Sequence, residues 1–286
     1  MAAAAGFGIG PYVPSRPTGY RSQLGRIGRM SAQICRAWLL TRARGSRFDA
    51  SIASRRFVSW SEGILRSLNV TTIVDGAVVR EDSVMLLANH LSWLDICVIG
   101  ATTGARFVAK HELRDWPVIG DLAARFGSLF HMRGYCRDAW RVKEVLARAL
   151  AMRERVAVFP EGTTTDGTVV GFFYAAMVQA AIDAGAWVQP VAIRYLRPDG
   201  SPNPAVPFLG DQSFAESLKL IVGEPQVIAR LTFCAPIDTF GLERREVAAL
   251  ARSAVASVLG VEEITHRADP GRLFVWACGL AYRGPA

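Results

Sequence analysis

Short apolar runs separated by amphipathic stretches set the pattern of this chain. Val84 to Ala88, Arg106 to Ala109, Ser128 to Met132, Val156 to Phe159 and Trp187 to Ile193 are rich in aliphatic and β-branched residues and read as buried strands. Between them lie segments with apolar residues three or four apart, such as Asp138 to Arg153, which read as helices. Strands alternating with helices predict an α/β fold, a largely parallel central sheet covered by helices. A further strand at Pro225 to Phe233 and a helix at Glu243 to Leu259 follow a polar loop at Arg197 to Asn203. Asp75-Gly76 predicts a small hairpin ahead of the sheet. The chain accordingly divides into a Gly-, Ala- and Pro-rich stretch at 1–19 expected to be disordered, a basic helical segment at 20–68, one α/β domain at 69–260 and an extension at 261–286.

Charge changes the picture at one end only. Of 33 basic and 25 acidic residues, the first 48 positions hold eight arginines and no acid, and the remainder is balanced at 25 against 25. Among those arginines Tyr20, Leu24, Ile27, Ile34 and Trp38 recur at helical spacing. A basic amphipathic helix gains about 1 kcal/mol per charge at an anionic lipid surface. The segment is therefore expected to associate with a membrane, making the protein peripheral or monotopic on the cytoplasmic face. The same pattern also fits a mitochondrial transit peptide, or a helix whose apolar stripe packs on the core. No apolar run reaches the roughly 18 residues of a spanning helix, and Met1 to Gly10 lacks the charged start and long apolar stretch of a secretory signal. No nucleic-acid partner is expected, because the arginines accompany an apolar stripe rather than exposed stacking aromatics.

The candidate chemistry lies in Asn89-His90-Leu91-Ser92-Trp93-Leu94-Asp95. A histidine takes a proton from a hydroxyl near neutral pH, and a carboxylate at its second ring nitrogen sets tautomer and orientation. Residues five apart on a helix point about 140° away from each other, so a His90–Asp95 pair requires a turn between a strand and a helix. The run Ser83 to Ala88, followed by a helical pattern from Leu91 to Gly100, supplies one.

Three further blocks follow in order: Gly127-Ser128-Leu129-Phe130-His131-Met132-Arg133-Gly134, Val156-Ala157-Val158-Phe159-Pro160-Glu161-Gly162-Thr163, and Val188-Gln189-Pro190-Val191-Ala192-Ile193. Together the four blocks resemble the glycerolipid and lysophospholipid acyltransferase family over about residues 80 to 195. The resemblance implies His90 as general base and Asp95 as the residue orienting it. It implies Arg133 as a cation for the acceptor's polar head, suited to phosphate because a guanidinium donates two parallel hydrogen bonds. Glu161, Gly162 and Thr163 are implied to position the acceptor or stabilise the site. Pro190 is implied to end or kink a strand at the rim of the acyl site, and it reads equally as a strand-edge proline. Lys110, in Phe107-Val108-Ala109-Lys110-His111-Glu112-Leu113, is a second head-group cation on the same resemblance.

The implied reaction moves a fatty acyl group directly from a thioester, acyl-CoA or acyl carrier protein, to the hydroxyl of a one-chain lipid, with no cofactor and no metal. Oxyanion donors are expected among backbone N–H groups after His90 or around Gly162. Where the family's third block often continues Arg-Ser, this chain has Thr164-Thr165-Asp166-Gly167, followed by apolar Val169-Val170-Gly171-Phe172-Phe173. One phosphate-binding cation is thereby missing; the expected acceptor is lysophosphatidic acid, giving phosphatidic acid, with lyso-ornithine lipid as the other one-chain lipid left open. A non-catalytic lipid-binding protein on the same scaffold is the alternative from another class, and the joint presence of His90, Asp95 and Glu161 argues against it.

The five cysteines, Cys35, Cys97, Cys136, Cys234 and Cys278, show no ligand spacing and are expected as free buried thiols. His111-Glu112 lacks the second histidine of a zinc protease, since position 115 is Asp115. There is no Gly-x-Ser-x-Gly elbow and no phosphate-cradling Gly-Lys-Ser/Thr loop, which removes support for serine-hydrolase and nucleotide-hydrolase readings.

Overall fold

The computed structural model of the chain describes residues 18–42, 49–79, 83–131 and 136–264. Two helices, α1 (Tyr20–Arg42) and α2 (Ala50–Leu68), precede the sheet. Asp49 caps α2 by accepting from the Ser51 and Ile52 N–H groups, and Asn69 closes it in the left-handed conformation at φ 59°. The main strands are β1 (Val70–Asp75), β2 (Val84–Ala88), β3 (Arg106–Lys110), β4 (Leu129–His131), β5 (Arg155–Val158), β7 (Trp187–Leu196) and β8 (Val227–Phe233). They form one sheet in the order β1-β8-β7-β2-β5-β3-β4, parallel throughout except for the antiparallel β7–β8 pair. The intervening helices are α3 (Leu94–Thr103), α4 (Ile119–Arg125), α5 (Cys136–Ala151), α6 (Val178–Asp183), α7 (Phe214–Gly223) and α8 (Arg244–Leu259).

Strand alternation assigns each side chain to one of two apolar layers. In β2, Val84, Leu86 and Ala88 join a core layer with Phe57 and Leu65 of α2 and Leu94 and Val98 of α3. Met85 and Leu87 point the other way, into a layer with Leu146 of α5, Ala180 of α6 and Val247 and Val255 of α8. Both faces of β2 are covered, so all five of its residues are buried and it reads as an uninterrupted apolar run.

Several expectations need correction. Asp75 ends β1, and Gly76 turns the chain at φ 75°, but β1 pairs in parallel with β8 rather than in a hairpin. The turn signal was local, and the strand partner lies more than 150 residues away. Within the stretch expected to be disordered, Thr18 is anchored: its N–H and hydroxyl both donate to the Gly223 carbonyl, each at 2.9 Å or less. In the C-terminal extension, β9 (Glu262–Glu263) pairs with β6 (Val169–Val170); residues 1–17 and 265–286 lie outside the described residues. Pro190 does not end its strand, since β7 runs through it to Leu196. Its carbonyl accepts from Cys234 N, so its missing donor faces the point where the neighbouring chain leaves β8. Cys97 is a free buried thiol as expected, whereas Cys35 is exposed on α1.

Part of the basic helix packs on the core. Met30 is buried, and Ile27, Ile34 and Trp38 pack against the layer that holds Phe57 and Leu65. Arg26 is buried too, donating to the carbonyls of Val222 (3.2 Å), Glu224 (2.5 Å) and Pro225 (2.8 Å). Tyr20 and Leu24 of the same stripe remain exposed, as do Leu39 and Leu40. No helix among the described residues is long and apolar enough to cross a membrane.

Candidate active site

The site forms at the C-terminal ends of two adjacent parallel strands, where α/β folds bind ligands. Leu87 of β2 is level with Val158 of β5. Counting three residues past each reaches His90 and Glu161, and these meet: the His90 N–H donates to Glu161 Oε1 at 3.1 Å. Asn89 fixes the end of β2 from the other side. Its amide donates to the Ile193 carbonyl and accepts the Ile193 N–H, at 3.1 and 2.7 Å, tying the turn to β7.

After His90 the chain turns at Leu91 and Ser92 and enters α3 at Leu94, which swings Asp95 back beneath the imidazole. His90 Nδ1 lies 2.8 Å from Asp95 Oδ2. The same oxygen accepts from the N–H groups of Leu91 (2.7 Å) and Ser92 (2.9 Å), and Oδ1 accepts from the Tyr195 hydroxyl at 2.6 Å. A carboxylate surrounded by donors is an acceptor, so Nδ1 carries the hydrogen and the Nε2 lone pair is free to take a proton. The ring plane is fixed by Phe159, stacked at 4.0 Å between centroids and 11° between planes.

Asp95 is fully buried, and its charge acts on its neighbours. The Cys97 thiol is pushed up to about 12 by burial and then by this charge. The Tyr195 hydroxyl is raised well above its ordinary value by the same two causes. Glu161, 2% exposed, has its carboxyl pushed up to about 8, chiefly by burial and further by Asp95, with the N–H groups of His90 and Gly171 pulling the other way. Burial thus favours its protonated form.

The segment after Glu161 wraps the turn between His90 and Asp95. Thr165 N–H donates to the His90 carbonyl at 2.8 Å, and the Thr164 hydroxyl donates to the Phe208 carbonyl, whose own N–H donates to the Leu91 carbonyl at 2.8 Å. Gly162 turns at φ 72° and Gly167 at φ 83°, conformations that favour glycine. Asp166 accepts the Thr168 N–H and hydroxyl at Oδ1.

The structure thus brings His90, Asp95 and Glu161 together, with Gly162 and Thr163 following in the same loop. Lys110 ends β3, level with His131 at the end of β4, on the same sheet end as His90. Arg133 lies outside the described residues. Pro190 is level with Leu87, three residues before His90. The N–H groups after His90 are not available to an oxyanion at Leu91, Ser92, Leu94 or Asp95, since each already has an acceptor within the turn. Sequence reasoning missed Tyr195 and Phe159. The signal for Tyr195 was a polar tip within a buried strand, which must find a partner, but its partner is 100 residues away.

Comparison with known proteins agrees with this geometry. The acyltransferase family profile matches residues 70–194, the span from β1 to β7. The chain is 34% identical over 224 residues to the lyso-ornithine lipid O-acyltransferase of Pseudomonas aeruginosa, covering 78% of this chain and 86% of that protein. It is 33% identical over 193 residues to the 1-acyl-sn-glycerol-3-phosphate acyltransferase of Neisseria meningitidis, covering 67% and 75%. The crystal structure of the 1-acyl-sn-glycerophosphate acyltransferase of Thermotoga maritima has the same fold, with a TM-score of 0.65 at 20% identity over 84% of this chain and 94% of that one. With four motif blocks, a paired histidine and aspartate at a strand end, and relatives matched over most of their length, this chain is an acyltransferase, a member of the family that includes the lyso-ornithine lipid and 1-acyl-sn-glycerol-3-phosphate acyltransferases.

Proposed function

We propose that this enzyme transfers a fatty acyl group from a thioester donor, acyl-CoA or acyl carrier protein, to the free hydroxyl of a one-chain lipid, with His90 as general base. The observation that carries this reading is the His90–Asp95 pair, which leaves Nε2 with a free lone pair. The acceptor hydroxyl gives its proton to Nε2, and its oxygen attacks the thioester carbonyl. The tetrahedral intermediate then collapses by breaking the C–S bond, and the departing sulfur takes the proton from the imidazolium. Holding both substrates in line supplies much of the acceleration, and no acyl-enzyme is needed. Lysolipid acceptors are favoured by the activities of the relatives. Between them, lyso-ornithine lipid fits the absence of the second cation after Glu161 better than lysophosphatidic acid.

The working location is an anionic membrane surface. Arg21, Arg29, Arg36 and Arg42 are exposed on α1 together with Tyr20, Leu24, Leu39 and Leu40. Basic charge interleaved with exposed apolar side chains suits the headgroup region of anionic lipid.

The test is transfer of a labelled acyl group from each donor to each of the two lysolipids by purified protein, with His90→Ala alongside. Product from one donor–acceptor pair, lost in the folded variant, is expected. Substantial activity in folded His90→Ala would remove His90 as the base.

A further inference from the structure

We propose that Tyr195 is a positioning residue for acyl transfer, its buried hydroxyl holding the Asp95 carboxylate that orients His90. The inference rests on His90 acting as the base. The Tyr195 hydroxyl is placed by sheet register. Ala88 is level with Val191, and Asn89 clamps Ile193 by two backbone hydrogen bonds. Val191, Ile193 and Tyr195 share the face of β7 that carries α3, so the next side chain along reaches Asp95 in the first turn of α3.

Asp95 holds its two oxygens differently. Oδ2 collects His90 Nδ1 and two backbone N–H groups supplied by the turn itself. Oδ1 faces the Tyr195 hydroxyl at 2.6 Å, a side chain that reaches Asp95 from β7. Tyr195 is 4% exposed, so water does not replace it readily. Removing the hydroxyl leaves Oδ1 of a buried carboxylate short of a donor and frees the carboxylate to rotate. The negative charge, now less shared, pulls harder on the imidazole hydrogen and favours the imidazolium that cannot act as base. A hydroxyl present merely to satisfy itself would be served by any backbone carbonyl. This one donates to the charge behind the reacting ring.

The test is Tyr195→Phe, which keeps the ring and its packing. Against wild type, kcat should fall roughly tenfold, the worth of one hydrogen bond to an ionised group, while KM for the lysolipid holds. The acid limb of the kcat/KM profile should move to higher pH. Glu161 and Cys97 also face Asp95, so the limb belongs to the cluster and is compared within one background. In an Asp95→Asn background Tyr195→Phe should add no further loss, because the hydroxyl acts through the carboxylate. A folded Tyr195→Phe enzyme with wild-type kcat and acid limb overturns the proposal, as does an equal loss in the Asp95→Asn background. Should Tyr195→Phe fail to fold, 3,5-difluorotyrosine at position 195 keeps the hydroxyl as a stronger donor. The acid limb should then move to lower pH, and an unmoved limb sinks the idea. His90→Ala separates the two claims: activity retained there removes the base and Tyr195 with it, whereas an inactive His90→Ala beside an unaffected Tyr195→Phe removes Tyr195 alone.

Discussion

Glu161 Oε1 accepts the backbone N–H of His90, not its ring, from a carboxyl group that is 2% exposed. The third sequence block therefore braces the main chain of the first. Glu161 is buried, and the bond it accepts holds the turn between His90 and Asp95 in place.

A buried carboxyl pushed up to about 8, against 4.5 for the free side chain, binds its proton more tightly folded than unfolded. Its stabilising contribution is complete below about pH 4.5 and declines as pH rises to about 8, by a few kcal/mol at most. Glu161→Gln keeps an oxygen for the His90 N–H and cannot ionise. The melting temperature of wild type should thus fall relative to Glu161→Gln between pH 5 and 8, and parallel curves in thermal denaturation would exclude a protonated Glu161.

Gly171 is where a methyl group would strike this brace. A Cβ there would lie 2.7 Å from Glu161 Oε2 and 3.3 Å from its Cδ and Cγ, on a buried carboxyl whose Oε1 is held by the His90 N–H. Gly171→Ala should cost about 1–3 kcal/mol from overpacking and lower kcat by displacing the His90 backbone. Gly185→Ala serves as control for adding a methyl group, since nothing lies within 4 Å of its Cβ; its φ of 59° adds local strain at a surface turn without reaching the site. Steady-state kinetics and denaturant melts of both variants check the difference.

Arg26 joins α1 to the end of α7 through three carbonyls. Arg26→Ala should destabilise the protein by roughly 2–3 kcal/mol, as carbonyls lose charged donors. The visible sign should be faster proteolytic cleavage within α1, with the α/β domain left intact. Unchanged cleavage would show that the apolar contacts of Met30, Ile34 and Trp38 suffice alone.

Sedimentation with vesicles tests the exposed arginines. Replacing Arg21, Arg29 and Arg36 by Gln should weaken binding to anionic vesicles by about 3 kcal/mol in all, near 1 kcal/mol per charge, and the wild-type affinity should drop as salt rises. Equal binding to neutral vesicles would point instead to Tyr20, Leu24, Leu39 and Leu40 as the source of affinity.

The strands and helices were legible in the residues because their signals are local. β2 came out at Val84 to Ala88 as read, since a strand covered on both faces has no polar positions to blur it. The need for a turn between His90 and Asp95 followed from helix geometry alone. Their partners were not legible. Asp75-Gly76 carries a hairpin signal, yet the strand beside it is Val227–Phe233, because pairing depends on the whole sheet. Periodicity showed α1 to be amphipathic, but only packing divided its stripe into Ile27, Ile34 and Trp38 against the core and Tyr20 and Leu24 in solvent. In the site, sequence determined which residues could move a proton, because that follows from side-chain chemistry. Tertiary structure decided what surrounds them: the Tyr195 hydroxyl on Asp95, the Phe159 ring on His90, and a Glu161 turned inward. Those contacts join residues 69 to 100 positions apart, and only the register of β2, β5 and β7 brings them together.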